Sequence, residues 1–259
     1  MKCKVTVFVL MGLVVGLFSL TTWAQAEESS SQLWFMGHNV IKPSMMNELE
    51  ADLKEMVAYS EKHNYQYPWY TLMTDNYHVY YAIPVKDKND IDEMFKTWGE
   101  LAEKVGKPWQ DMMEDYFNCY EYTGQFLLRH RPDISYNPEK TEGEQEEANF
   151  YVWHIDYVYP GKEAEYEAIY KEWASMNKSL NYAGAYNLYA GEMGIEGPFY
   201  IGEASGKSLS QWYKGNEKFW EEVGKEGQER TDRRRKLIRK HETKHLWYHP
   251  DLSYEIEKK

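Results

Sequence analysis

Two stretches of the chain run through the same succession of apolar and polar patterns. Leu33 to Ile41 and Phe150 to Tyr159 are aromatic and β-branched runs of strand length. Pro43 and Pro160 follow them, each placed for the first turn of a helix. Apolar positions then recur three and four apart: Leu49, Leu53, Met56 and Val57 in the first stretch, and Tyr166, Tyr170, Trp173 and Ala174 in the second. Pairs of short runs come next, 67–74 with 77–85 and 185–192 with 198–204. Asp75-Asn76 separates the first pair and Gly194 to Gly197 the second, which predicts two hairpins. Helical stretches around 89–117 and 207–236 lead to a last run that ends in Pro-Asp-x-Ser-Tyr. The order is β-α-β-β-α-β, the split βαβ or ferredoxin-like unit, and the chain is α+β.

Residue identity marks the two stretches as copies. Setting Pro43 on Pro160, an offset of 117, aligns 23 residues without a gap, and eight are identical, among them Glu50/Glu167, Ala51/Ala168 and Asn64/Asn181. At an offset of 118, Val105-Gly106-Lys107 meets Val223-Gly224-Lys225, and Arg131 to Tyr136 (RPDISY) meets His249 to Tyr254 (HPDLSY). The expected organisation is a signal segment over 1–26, repeat one over 27–136, an acidic linker over 137–148 and repeat two over 149–259. The linker, NPEKTEGEQEEA, has no aromatic residue and reads as solvated.

Two such units in one chain, the second opening with a strand and the helix start Pro160-Gly161-Lys162-Glu163, resemble the dimeric α/β-barrel superfamily, which includes the antibiotic-biosynthesis-monooxygenase-like proteins. The resemblance spans both repeats and rests on topology rather than on a catalytic signature. It implies two ferredoxin-like repeats whose four-stranded sheets close face to face into an intramolecular dimeric α/β-barrel. It also implies a cavity between the sheets, where some relatives bind polycyclic substrates and others bind haem. The chain would then be a monomeric pseudo-dimer or, with further pairing, a homodimer.

The amino-terminal segment changes where this barrel is expected to work. Lys2 and Lys4, an apolar run from Val5 to Leu20 and Ala24-Gln25-Ala26 have the form of a cleaved secretory signal. The apolar run is shorter than the roughly 20 residues of a spanning helix, so the expectation is an exported protein, periplasmic or secreted, without stable membrane insertion after cleavage. Loss of two lysines and no acids leaves 28 basic against 42 acidic residues, a net charge of −14. That field disfavours nucleic acid as a partner. Cys119 is the one cysteine beyond the signal, so no intrachain disulfide forms, and it reads as a small buried hydrophobe. With 23 Tyr and 10 Trp, the chain has rings enough for an aromatic core or for a pocket that stacks on a small-molecule ligand.

His241-Glu242-Thr243-Lys244-His245 fits H-E-x-x-H, which on a helix sets two imidazoles on zinc. The repeat, however, aligns it with Thr123 to Leu127, a strand-like segment. On a strand, residues four apart sit roughly 13 Å apart, too far for one ion. A zinc peptidase through His241, Glu242 and His245 is therefore a weak alternative. No Gly-rich phosphate loop, nucleophile elbow, C-x-x-C pair or c-type haem attachment motif is present.

Positions where the copies differ are the better place to seek a site, because a duplicated scaffold needs the same turns twice. Repeat two has His154 and Asp156 where repeat one has Gly37 and Asn39, and it has His245 where repeat one has Leu127. With the first and last strands of the unit as antiparallel neighbours, His154, Asp156 and His245 are the candidate catalytic group, able to move protons near neutral pH. Trp34, His38, Tyr80, Tyr81, Arg129, Trp153, Tyr200 and Trp247 are the candidate ligand-binding residues, with Arg129 as an anion partner. The expected function is an extracytoplasmic small-molecule-binding barrel whose aromatic cavity supports a cofactor-independent oxygenase-like or isomerase-like reaction. The alternatives are a non-enzymatic ligand- or glycan-binding module, haem binding through a strand histidine, and the zinc peptidase. No cofactor is called for by the residues themselves.

Overall fold

A computed structural model describes residues 31–138 and 148–256. The expected signal segment and most of the expected linker lie outside the described residues. Repeat one comprises β1 (Leu33–Ile41), α1 (Met46–His63), β2 (Tyr70–Met73), β3 (His78–Val85), α2 (Lys88–Val105), α3 (Lys107–Asn118) and β4 (Tyr120–His130). Repeat two comprises β5 (Phe150–Val158), α4 (Glu163–Ser179), β6 (Tyr186–Met193), β7 (Phe199–Gly206), α5 (Leu209–Arg235) and β8 (Ile238–Tyr248).

Every neighbouring pair of strands is antiparallel, and they close in the order β1-β3-β2-β8-β5-β7-β6-β4, with β4 back against β1. Each repeat thus supplies a four-stranded sheet, 4-1-3-2 or 8-5-7-6. The edges β2 and β4 are covered by β8 and β6 of the other repeat. Closure leaves no exposed sheet edge, which is how a barrel avoids templating aggregation. The segment 236–249, where the H-E-x-x-H spacing invited a helix, is largely strand β8.

The repeated anchors have identifiable jobs. Val-Gly-Lys marks a bend in the second helical stretch of each copy. Gly106 (φ 75°, ψ −136°) separates α2 from α3, and Gly224 (φ 50°, ψ −135°) breaks the helical path within α5. Both lie in a positive-φ region open to glycine and costly for a residue with a Cβ. The Pro-Asp-x-Ser-Tyr exit ties each copy to the other. Ser135 Oγ accepts the Leu188 amide at 2.8 Å and Tyr136 bridges to Tyr186, while Ser253 Oγ accepts the Thr71 amide at 2.9 Å and Tyr254 bridges to Trp69.

Alternation along the strands sorts side chains into two layers. Met36, Leu72, Tyr80, Phe126, Ile155, Phe199 and Leu246 are among those filling the barrel interior. Outward-facing residues pack beneath the helices: Ile41, Met73 and Val79 against α1 and α3, and Val158, Leu188 and Tyr200 against α4. Cys119 is fully buried in the first of these layers, and burial pushes its thiol up to about 11.

Candidate functional site

One end of the barrel interior is an open cavity of about 450 Å³. Its wall carries six rings, Trp34, Tyr70, Tyr151, Trp153, Tyr189 and Tyr248, with Met36, Leu72, Leu128 and Ile201 between them. The apolar residues of the barrel's middle close its floor, and Tyr80 backs the wall with its ring edge-on to Trp153 at 5.0 Å between centroids. The volume is that of a small-molecule site, and the ring faces suit a planar aromatic ligand.

Glu203 on β7 reaches into this apolar wall. Phe199, Ile201 and Glu203 lie in succession on the inward face of β7, so the carboxyl sits where alternation would otherwise place another apolar side chain. Trp153 Nε1 donates to its Oε2 at 2.8 Å, and Tyr189 Oη and Asn187 Nδ2 donate to its Oε1 at 3.2 and 3.4 Å. Burial raises its pKa above the usual carboxylate value, and the three neutral donors offset that only in part. A carboxyl so placed can take a proton from a bound molecule and give it back, since its affinity for the proton is already increased. A second carboxyl, Glu255, stands at the rim and accepts the Tyr248 hydroxyl at 2.8 Å.

The candidate catalytic group lies elsewhere. His154, Asp156 and His245 share one face of the sheet, but it is the outer face, beneath α4 and α5. Across β5 and β8, Asp156 stands opposite His241, His154 opposite Thr243, and His245 opposite Val152, so His154 and His245 are not direct partners. Asp156 is fully buried and saturated: Tyr166 Oη donates to it at 2.7 Å, Arg234 at 2.9 Å and His241 Nδ1 at 2.6 Å. Burial alone would raise its pKa, but the His241 hydrogen bond and the Arg234 charge prevail and hold it below the usual range. His154 is lowered to about 4, by burial first and then by Arg234 and His241. The His245 ring sits among Phe150, Trp212 and Tyr213. Glu242 projects to the opposite, inner face, where Lys240 pairs with it at 2.6 Å, so the H-E-x-x-H residues do not converge.

Of the ligand-binding candidates, Trp34 and Trp153 line the cavity and Tyr80 lies just behind it. His38 is inside the barrel at the opposite end. There its Nε2 is 2.8 Å from His78 Nδ1 and its ring lies on Tyr80 at 4.4 Å, nearly parallel. Burial, reinforced by His78 and Lys244, lowers its pKa to about 4. The other four are outside the interior. Tyr81 accepts the Tyr116 hydroxyl at 3.1 Å in the core under the helices, and Tyr200 stacks on Tyr166 and donates to Glu167 at 2.7 Å. Arg129 pairs with Glu192, and Trp247 packs on the Phe150 ring at 5.3 Å.

Glu203 was not among the sequence candidates. The strand registers pair Trp153 with Glu203 and Met36 with Ala82, and Met36 aligns with Trp153 at the offset of 117. Glu203 is therefore the counterpart of Ala82, a place where the copies disagree. An alignment carried through the hairpins would have exposed it.

No known sequence family matches the chain, and no curated protein matches it in sequence. Solved structures do. An anthrone oxidase-like protein superposes with a TM-score of 0.57 at 13% identity, covering 85% of this chain and 92% of its own. A proposed monooxygenase from Lactobacillus acidophilus gives 0.53 at 10% identity, covering 87% and 96%. A chlorite dismutase from Candidatus Nitrospira defluvii, in complex with imidazole, gives 0.50 at 9% identity, covering 85% and 92%. The chain has the dimeric α/β-barrel fold, with the two barrel halves fused in tandem.

Among the described residues lining the cavity there is no histidine or cysteine to ligate a haem iron; of its four tyrosines, Tyr189 and Tyr248 are bonded to Glu203 and Glu255, and Tyr70 and Tyr151 face it as well.

Proposed function

We propose that the protein is an extracytoplasmic, cofactor-independent oxygenase-like enzyme. Its barrel cavity binds a planar aromatic carbon acid, and Glu203 takes the proton that starts the reaction. The observation that carries this reading is one carboxyl, its proton affinity raised by burial, set in the wall of an aromatic cavity. The anthrone oxidase-like and monooxygenase folds suggest the substrate class for a test. With an anthrone, Glu203 removes a proton from the central methylene. The resulting carbanion, conjugated with the ring carbonyl, is electron-rich enough to reduce dioxygen. Oxygen adds to the same carbon, and the proton held on Glu203 completes a hydroperoxide. Loss of water then leaves the quinone, so one dioxygen is consumed and one water formed per anthrone. The indole and phenol around the carboxyl hold it in place, and the apolar wall keeps the carbanion away from water.

Oxygen uptake with 1,8-dihydroxyanthrone tests this. Wild type is expected to consume one dioxygen per anthrone above the uncatalysed rate, and Glu203→Gln to lose about 10²- to 10⁴-fold of that rate, the usual contribution of a positioned acid or base. Tight binding of the anthrone with uptake at the uncatalysed rate would overturn the catalytic reading and leave a ligand-binding module.

A further inference from the structure

Among the described residues, the charges that line the cavity have one sign. Among the described lining residues are two carboxyls, Glu203 in the wall and Glu255 at the rim, and no lysine, arginine or histidine. The hydrogen-bond donors to Glu203 are the neutral Trp153, Tyr189 and Asn187, and Glu255 is met by a phenol. Repeat one has Ala82 and Asn137 at the corresponding places, so both carboxyls belong to repeat two and stand at the same end of the barrel.

An anionic ligand entering here would leave water, pass Glu255 and settle against Glu203 without meeting a compensating cation among the described lining residues. Charge repulsion is weak across water but grows inside an apolar enclosure, where fewer solvent dipoles screen it. A neutral planar molecule meets no such barrier, and its hydroxyl or carbonyl groups find the tyrosine hydroxyls of the lining.

We propose that the cavity is a charge filter: it takes planar aromatic molecules that carry no carboxylate, sulfate or phosphate, and Glu255 at the rim is a residue that sets this preference. The proposal rests on the reading of the cavity as a ligand site, and it goes beyond that reading in naming the ligand's charge class.

The test uses two fluorescent probes of the same ring system, 9-anthracenemethanol and anthracene-9-carboxylate, at pH 7.5. Binding is followed through energy transfer from tryptophan and checked by calorimetry. Wild type is expected to bind the alcohol and to bind the carboxylate at least about 30-fold more weakly, on the scale of one uncompensated charge contact in a partly screened site. Glu255→Gln is expected to narrow the gap to about 10-fold or less and Glu255→Lys to narrow it further, each leaving affinity for the alcohol within about two-fold, since neutral contacts are untouched. Equal binding of both probes to wild type overturns the filter alone, and an unchanged gap in both Glu255 variants overturns the role of Glu255. Failure of wild type to bind either probe overturns the cavity reading and the filter together.

Discussion

Asp156, fully buried, and Glu203, half-buried in the cavity wall, are carboxyls on neighbouring strands of the second repeat, and their surroundings give them opposite chemistry. Asp156 faces the helices and meets a guanidinium, an imidazole and a phenol, which hold it ionised. Glu203 faces the cavity and meets only neutral donors, so burial raises its pKa. One carboxyl is spent on holding α5 to β5 and β8, while the other keeps an affinity for protons that a ligand can use. Burial by itself therefore does not mark a functional acid. What marks it is burial without a cation, beside open space.

The sharpest way to break this comparison is to neutralise each carboxyl in turn and read both stability and turnover. Glu203→Gln should remove about 10²- to 10⁴-fold of anthrone oxidation while leaving the urea midpoint unchanged or slightly raised, because a neutral amide suits the site at least as well as a desolvated carboxylate. Asp156→Ala should do the reverse. It leaves Arg234 without its partner under the helix, and loss of one member of a buried pair costs about 3–5 kcal/mol, which urea unfolding would read while probe binding by the remaining folded protein changes little. If both variants lose stability alike and activity alike, the distinction between the two carboxyls fails.

The pH dependences should also have opposite signs. The folded pKa of Asp156 lies below its unfolded value. Its contribution is therefore present above the ordinary carboxylate pKa and lost as pH falls through the lower folded one, and Asp156→Asn should flatten the acid limb of a stability profile. The folded pKa of Glu203 lies above its unfolded value. The folded protein keeps that proton longer, so the stability tied to it is full below the ordinary pKa and lost as pH rises through the raised one. Glu203→Gln should remove that decline, and wild-type turnover should rise with pH through the same window, as a base must be ionised to act. The smallest effect expected is that of Tyr189→Phe. It deletes one neutral donor to Glu203, a bond worth about 0.5–1.5 kcal/mol, and should move the rise in the pH–rate profile upward by up to about one unit.

The architecture was legible in the sequence because duplication wrote it twice. Two proline-led amphipathic helices, two Val-Gly-Lys bends and two Pro-Asp-x-Ser-Tyr exits appear at nearly constant spacing, and the strand reading of 238–248 followed from the repeat against a helical metal motif. The site was less legible, since alternation says which residues share a face and not which face looks inward. Tyr80 and Tyr81 are adjacent and must point to opposite sides, with Tyr80 in the interior and Tyr81 under the helices. His154 and Asp156 do share a face, and α4 and α5 cover it. Histidines draw attention in a sequence because they titrate near neutrality, whereas Glu203 is one of 42 acidic residues, set apart by its mismatch with Ala82 in the other copy and by the cavity around it.

Proton abstraction can be measured without oxygen, which separates the first step from the oxidation that follows. Anaerobic exchange of the central methylene protons of 1,8-dihydroxyanthrone into heavy water, followed by proton NMR, should be accelerated by the wild-type protein and return to the uncatalysed rate with Glu203→Gln. Exchange accelerated equally by both proteins, or by neither, would contradict Glu203 as the proton acceptor.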